Sequence, residues 1–259
     1  MNDLLVRPIH SIPFLTEHGL GVEAHLGRYD LLPTWPAYIP FVRGVHLPYS
    51  GCNLAALDDA HRERSIQTLK TAIDGAAPYP VDRLVMHICG IESDDGVVVG
   101  SYDRLIAALQ ELASHTASQG RTLCLENTML AWGATTRKHW GTSREEWHRI
   151  YRDTARENVK LTLDTSHAAT AVQVLNNPAD RTVAIWEFLD DKDAIWRVHW
   201  SDSMIGTEAG KRDMHLVPGT GDLPRDFHQA INALTVPKLL EQKCTEEEVC
   251  GGLRFIATL

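Results

Sequence analysis

The segment KRDMHLVPGTGD, residues 211–222, sets a carboxylate and an imidazole two residues apart, Asp213 and His215, just before a Gly-x-Gly turn at Gly219 and Gly221. Gly-x-Gly opens a dinucleotide-binding fingerprint only when a third glycine and a helix follow. Here Pro224 stands in the place of that glycine, and the flanking prolines point to an ordinary loop rather than a phosphate cradle. An Asp and a His at this spacing can instead reach one metal ion from an extended segment. They need partners, and the chain offers His46, His87, Glu126, Asp164, His167, His199 and Glu241. Each also has a plainer role: a lone His is often a hydrogen-bonded structural residue, and Glu126 or Asp164 fits a strand-ending or helix-capping carboxylate.

The elements that must position these residues follow from the apolar pattern. Short β-branched or apolar runs occur at 4–9, 21–26, 43–48, 83–89, 122–127, 159–164, 196–202 and 238–242. Between them, segments such as 58–77 and 101–120 place apolar residues at helical spacing and end near Gly. Strands alternating with helices indicate βαβ units and a parallel sheet, and eight units predict a closed (β/α)8 barrel over residues 1–259. The first unit is thin, and the last helix, within 245–259, is expected to be broken by Gly251 and Gly252. Catalytic groups of such a barrel sit at the carboxyl ends of its strands. The nine residues named above fall at those ends or in the loops that follow, and several carboxylates in one mouth call for cations between them.

Other residues read more plainly. His61, His115, His139, His148 and His228 lie in helical or loop segments and are expected at the solvated surface. His25 follows the second strand at the mouth, Glu23 points at the core or a partner, and Trp132, Trp140 and Trp147 fit core or a pocket lid.

Bulk properties bound the function. The 259 residues are 44% hydrophobic and 23% charged, ordinary for a globular protein. There is no run of about eighteen apolar residues to span a membrane and no visible signal peptide, so a cytoplasmic location is expected. Five cysteines without framework spacing fit reduced thiols. A net charge of −9 argues against broad affinity for nucleic acid, although a local basic groove can exist on an acidic protein.

Taken in order, the motifs resemble the xylose isomerase-like TIM barrels, a superfamily that includes sugar and sugar phosphate isomerases and epimerases and the endonuclease IV group. GVHLPYSGCNLAA carries His46, Tyr49, Asn53 and Leu54; VMHICG, LCLENT and LTLDTSHA resemble the fourth-strand His, Glu-Asn and Asp-x-x-His motifs. VHWSDS with RDMHLVPGTGDL is similar to the seventh-strand His followed by Asp-x-His, and KLLEQ to the final Glu. In the isomerases and epimerases the resemblance implies a mononuclear site from Glu126, Asp164, His199 and Glu241, with His167 near the substrate. In the endonuclease IV group it implies a trinuclear zinc site using all nine residues. Departures exist: ICGIESDDG replaces the Pro-Gly-Ser-His run after His87, Met214 stands where Arg is usual, and no clearly basic loop replaces the DNA-inserting loops.

The sequence therefore predicts an enzyme using one to three divalent ions, zinc or manganese. The favoured reaction is isomerisation or epimerisation of a sugar or sugar phosphate. Glu126 and Glu241 would exchange protons, His167 would orient a hydroxyl, and Arg212 and Tyr49 would contact the substrate. The alternative is an endonuclease IV-like phosphodiesterase, an AP endonuclease of family 2. A small carbohydrate is the expected partner and nucleic acid the less favoured one; the sequence does not fix the oligomeric state.

Overall fold

The computed structural model describes residues 3–132 and 136–259. In chain order its strands are β1 (Leu4–Val6), β2 (Gly21–His25), β3 (Val42–His46), β4 (Arg83–His87), β5 (Ile91–Asp94), β6 (Val97–Val98), β7 (Thr122–Glu126), β8 (Lys138–His139), β9 (Val159–Asp164), β10 (Ile195–His199) and β11 (Lys238–Leu240). The helices are α1 (Ile12–His18), α2 (Asp59–Gly75), α3 (Tyr102–Ser118), α4 (Arg144–Thr154), α5 (Thr165–Val172), α6 (Pro178–Ala184), α7 (Arg225–Ala233) and α8 (Glu246–Ile256). Eight strands close a parallel barrel in the order β1, β2, β3, β4, β7, β9, β10, β11, with β11 pairing back to β1. The (β/α)8 barrel read from the sequence is thus the observed fold, its strands lying where the apolar runs placed them. No helix among the described residues is long and apolar enough to cross a membrane.

Three features differ from the regular pattern. The β2 to β3 connection holds two 3-10 turns, Trp35–Ala37 and Ile39–Phe41, in place of an α-helix. Pro33, Pro36 and Pro40 explain this, since each removes a backbone donor and clashes with a continuing helix. The loops after β4 and β7 build an extra antiparallel sheet from β6, β5 and β8 beside the barrel mouth. Finally, α8 is not broken at its glycines. It starts on a full capping box between Thr245 and Glu248 and runs on through Gly251 and Gly252. A β-carbon on Gly252 would press on Val217, so the glycine lets the helix pack against the 211–222 loop.

Side chains alternate along each strand, which divides the barrel into two environments. Leu84, Met86, Leu123, Leu125, Leu161 and Leu163 belong to the apolar core and are fully buried. The other parity carries polar groups into the barrel. Arg197, two residues before His199, crosses the interior to Glu23 with Nη2 to Oε2 at 2.5 Å. Gly44 makes this crossing feasible, because a β-carbon there would overlap the Arg197 guanidinium. Gly44→Ala is expected to cost about 1–3 kcal/mol, the usual scale of overpacking. Urea unfolding would measure it; an unchanged midpoint would mean that Arg197 has room to move.

Candidate metal centre

Five of the nine expected residues are the last residues of barrel strands: His46 on β3, His87 on β4, Glu126 on β7, Asp164 on β9 and His199 on β10. Glu241 directly follows β11, and His167 lies in the first turn of α5. Register keeps the ends level, since His87 pairs with Glu126 and His199 with Asp164. Asp213 and His215 come from the long loop after β10. Their potential ligand atoms gather into three groups, each within 4.8 Å: His46, His87 and Glu126; Glu126, Asp164, His199 and Glu241; and Asp164, His167 and His215. Glu126 belongs to two groups, and so does Asp164. Asp213 joins the third through Oδ2, 2.8 Å from His215 Nε2 and 3.6 Å from His167 Nε2.

Local structure explains these directions. Asp164 is the N-cap of α5, its Oδ1 accepting from the His167 backbone N–H at 2.8 Å. Capping and site geometry are thus one device: the first helical turn brings His167 beside the Asp164 carboxylate. Asn127 joins the ends of β7 and β9, donating to Asp164 O at 2.9 Å and accepting from Asp164 N at 2.7 Å. His215 has a φ of 45°, a left-handed conformation uncommon outside glycine, and its N–H is held by Ser166 Oγ.

The imidazoles are oriented by partners outside the three groups. His46 Nδ1 lies 2.7 Å from Leu47 O and His167 Nδ1 2.8 Å from Asn127 O. A carbonyl only accepts, so in both rings Nδ1 carries the proton. In the neutral rings Nε2 then presents a lone pair, which for His46 faces Glu126 Oε2 at 3.1 Å. His199 is reversed. Its Nε2 lies 3.0 Å from Glu23 Oε1, while Nδ1 faces Glu241 Oε2 at 3.0 Å and Glu126 Oε1 at 3.1 Å. A lone pair facing a carboxylate is repulsive unless a proton or a metal cation stands between them. Asp164 Oδ2 and Asp213 Oδ1 are also buried with no protein hydrogen-bond partner. Carboxylate and imidazole donors with these orphaned oxygens fit divalent cations, and a carbonyl or carboxylate behind each ring is the usual support of a metal-binding histidine.

Electrostatics agree. Burial alone raises carboxyl pKa values and lowers those of imidazoles. For Asp164 burial wins, pushing it up to about 6. For Glu126 burial is overcome by His87 and His199, and for Glu241 by His199, His215 and Arg7, so both stay well below the carboxylate range. Burial also opposes Asp213, but His167 and His215 hold it low. Among the imidazoles burial is outweighed by Glu126 at His46, by Asp164 and Asp213 at His167, by Glu126 and Glu23 at His199, and by Asp213 and Asp164 at His215; all four are raised. At His87 burial prevails, bringing it down to about 4. The carboxylates draw positive charge into the mouth from every side.

His46, His87, His167, Asp213, His215 and Glu241 line a cavity of about 670 Å³, whose walls also include Arg7, Arg28, Lys243, Tyr49 and Met129. Tyr49 stacks on His87 with ring centroids 4.3 Å apart. Arg212 is exposed and is not part of this lining. Arg7 was missed from sequence; it pairs with Glu241 at 2.8 Å. Glu23 and Arg197 were also missed as a unit, although two-residue spacing to His25 and His199 puts them on the inward face. His148 and His228 are buried, not solvated, because Asp191 and Asp202 reach them at 2.7 and 3.3 Å. The Gly-x-Gly turn has a structural use: Gly219 N–H donates to Asp202 Oδ2, and a β-carbon on Gly221 would collide with that carboxylate.

Comparison with known proteins gives a consistent picture. The family described as "Xylose isomerase-like TIM barrel" matches residues 37–248. An uncharacterized protein of Methanocaldococcus jannaschii is 27% identical over 184 residues, covering 69% of this chain and 56% of the relative. The chain thus spans about half the length of that curated relative. Among solved structures, a D-tagatose 3-epimerase-like protein superposes with a TM-score of 0.74 at 22% identity, covering 100% of this chain and 96% of the other. A Thermus thermophilus protein soaked with zinc chloride gives 0.66 at 20%, covering 99% of each. Endonuclease IV of Thermus thermophilus gives 0.62 at 19%, covering 98% and 97%. At these identities the likeness is one of fold.

Proposed function

This chain belongs to the xylose isomerase-like TIM barrel family, and from that premise we propose that it is a polynuclear divalent-metal enzyme that hydrolyses a phosphoester of a sugar. One observation carries the reading: eight side chains form three ligand groups joined by the shared carboxylates of Glu126 and Asp164, and Asp213 stands beside the third. A mononuclear isomerase would use only the group of Glu126, Asp164, His199 and Glu241, leaving the other two groups without an ion to hold. Glu126 faces two groups, Oε2 towards His46 and His87 and Oε1 towards His199.

His46, His87 and Glu126 would hold one ion, Glu126, Asp164, His199 and Glu241 a second, and Asp164, His167, Asp213 and His215 a third. Ions held there supply Lewis-acid polarisation of a phosphoryl oxygen and a nucleophile at neutral pH. The chain's own part is positional. Arg28 and Lys243 at the cavity wall offer positive charge to a phosphate, and the Tyr49 ring, fixed against His87, gives a flat face for a sugar. His199 and His215, with Arg7 behind them, keep Glu241 ionised, and Arg7 pairs with it at the cavity wall. The cavity volume is in the range of small-molecule sites, which favours a small phosphorylated carbohydrate over a DNA duplex.

A second reading, metal-dependent isomerisation or epimerisation of a sugar, is favoured by that cavity size and by Glu126 and Glu241 flanking one nitrogen of His199. One experiment separates the two. Metal is counted on protein purified without chelator, and wild type, Asp213→Ala and His215→Ala are assayed on sugar phosphoesters, ketoses and abasic-site DNA. Hydrolysis predicts about three ions per chain and a fall of roughly a hundredfold in either variant, the scale of one lost preorganised contact. A single ion per chain, with ketose turnover that survives both substitutions, would establish the isomerase instead.

A further inference from the structure

Two cysteines outside the ligand groups open on the same cavity. Cys52 lies in the loop after β3 and Cys89 in the loop after β4, two residues beyond His87. Both line the cavity, both are free, and each is less than a tenth exposed. Each thiol shifts the other's ionisation, Cys52 down and Cys89 up, so the two stand near each other at the cavity wall.

The two loops are held together by the backbone around the thiols. Leu54 N–H donates to Cys89 O at 2.8 Å, and Asn53 Oδ1 accepts from Ile91 N–H at 3.0 Å. Residues just after each thiol are therefore stitched together across the two loops. Cys89 has a φ of 51°, in the left-handed region that side chains seldom adopt. The remaining cysteines have no such placement: Cys124 is fully buried on β7, and Cys244 and Cys250 are not part of the cavity lining.

We propose that Cys52 and Cys89 are a dithiol oxidation site that a small hydroperoxide entering the cavity converts to a reversible disulfide. One cysteine sulfur attacks a peroxide oxygen, the O–O bond breaks, and the alcohol leaves, or water when the oxidant is hydrogen peroxide. That sulfur is now a sulfenic acid. The second sulfur attacks it, the S–O bond breaks, and the hydroxyl departs as water with the second thiol's proton. Two thiols lose two electrons and the peroxide gains them. Neighbouring resolving thiols are what divert a sulfenic acid from irreversible oxidation, and in a reducing compartment such disulfides are transient.

The bond joins the loop of Tyr49 to the loop that follows His87, and the Tyr49 and His87 rings already stack. It thus ties one residue of the first ligand group to the cavity wall. This site goes beyond the proposed hydrolase reading, and its chemistry is read without any substrate.

The test uses the full chain purified under reducing conditions without chelator. It is exposed to a small excess of hydrogen peroxide, alkylated and mapped by peptide mass spectrometry. Alkylatable thiols should fall from five to three, with a peptide linked at residues 52 and 89 that dithiothreitol releases. C52S and C89S should each abolish the link, as should C52A and C89A, which keep the pocket less polar. C244S should leave it intact. The proposal is overturned if both thiols stay alkylatable while others oxidise, if they appear only as separate sulfinic acids, or if the mapped link uses Cys124, Cys244 or Cys250.

Discussion

Glu126→Gln is expected to lower turnover by about a thousandfold or more and to reduce the metal content of the purified protein. Glu126 is the carboxylate common to two ligand groups, contacting His46 and His87 through one oxygen and His199 through the other. Glutamine keeps the shape but replaces one oxygen by an N–H donor and removes the charge. Losing one preorganised electrostatic contact costs about a hundredfold to a thousandfold, and here two groups are affected at once. The fold should survive, because crowded charge at a site usually costs stability. Turnover with saturating metal, elemental analysis and a thermal melt together check this. Activity within about tenfold of wild type, with unchanged metal content, would remove Glu126 from the centre of the site.

Glu23→Ala is expected to be the most destabilising change outside the ligand groups. Glu23 is 4% exposed and meets Arg197 at 2.5 Å and His199 at 3.0 Å. Removing one member of a buried pair strands the other charge, at a cost of about 3–5 kcal/mol. For a chain of this size that lowers Tm by roughly 10 °C. Glu23→Gln should cost less stability but still disturb function, since it weakens the group that fixes the His199 ring. Loss of such outer support lowers metal affinity or activity about 10–100-fold.

The pH dependence gives a readout that simple loss of packing would not move. Burial alone would raise the Glu23 pKa, but Arg197 and His199 bring it down from 4.5 to about 2. A depressed carboxyl contributes stability in full above its unfolded value and loses it as pH falls towards the folded one. The stability gap between wild type and Glu23→Gln should therefore be constant above about pH 4.5 and close towards pH 2. A gap independent of pH throughout would show that the carboxylate charge is not what holds Arg197.

The sequence by itself determined the barrel and most of the residues that meet at its rim. Strand runs are local patterns, and residues at their carboxyl ends must share one rim once the sheet closes, so His46, His87, Glu126, Asp164 and His199 were legible from periodicity and order. The Asp213 and His215 pair was legible from spacing alone. Tertiary structure decided what spacing cannot encode. Glu23 and Arg197 lie 174 positions apart in the chain and find each other only because closure brings β2 and β10 across one interior, with Gly44 leaving room. The third group forms because a loop after β10 folds back onto α5, with His215 pinned by Ser166. Cys52 and Cys89 read as unrelated reduced thiols until neighbouring loops bring them to one cavity wall. The cations of the cavity wall likewise turned out to be Arg7, Arg28, Arg137 and Lys243 rather than Arg212. Which way a loop side chain points is set by the long-range contacts that hold the loop, and those exist only in the folded chain.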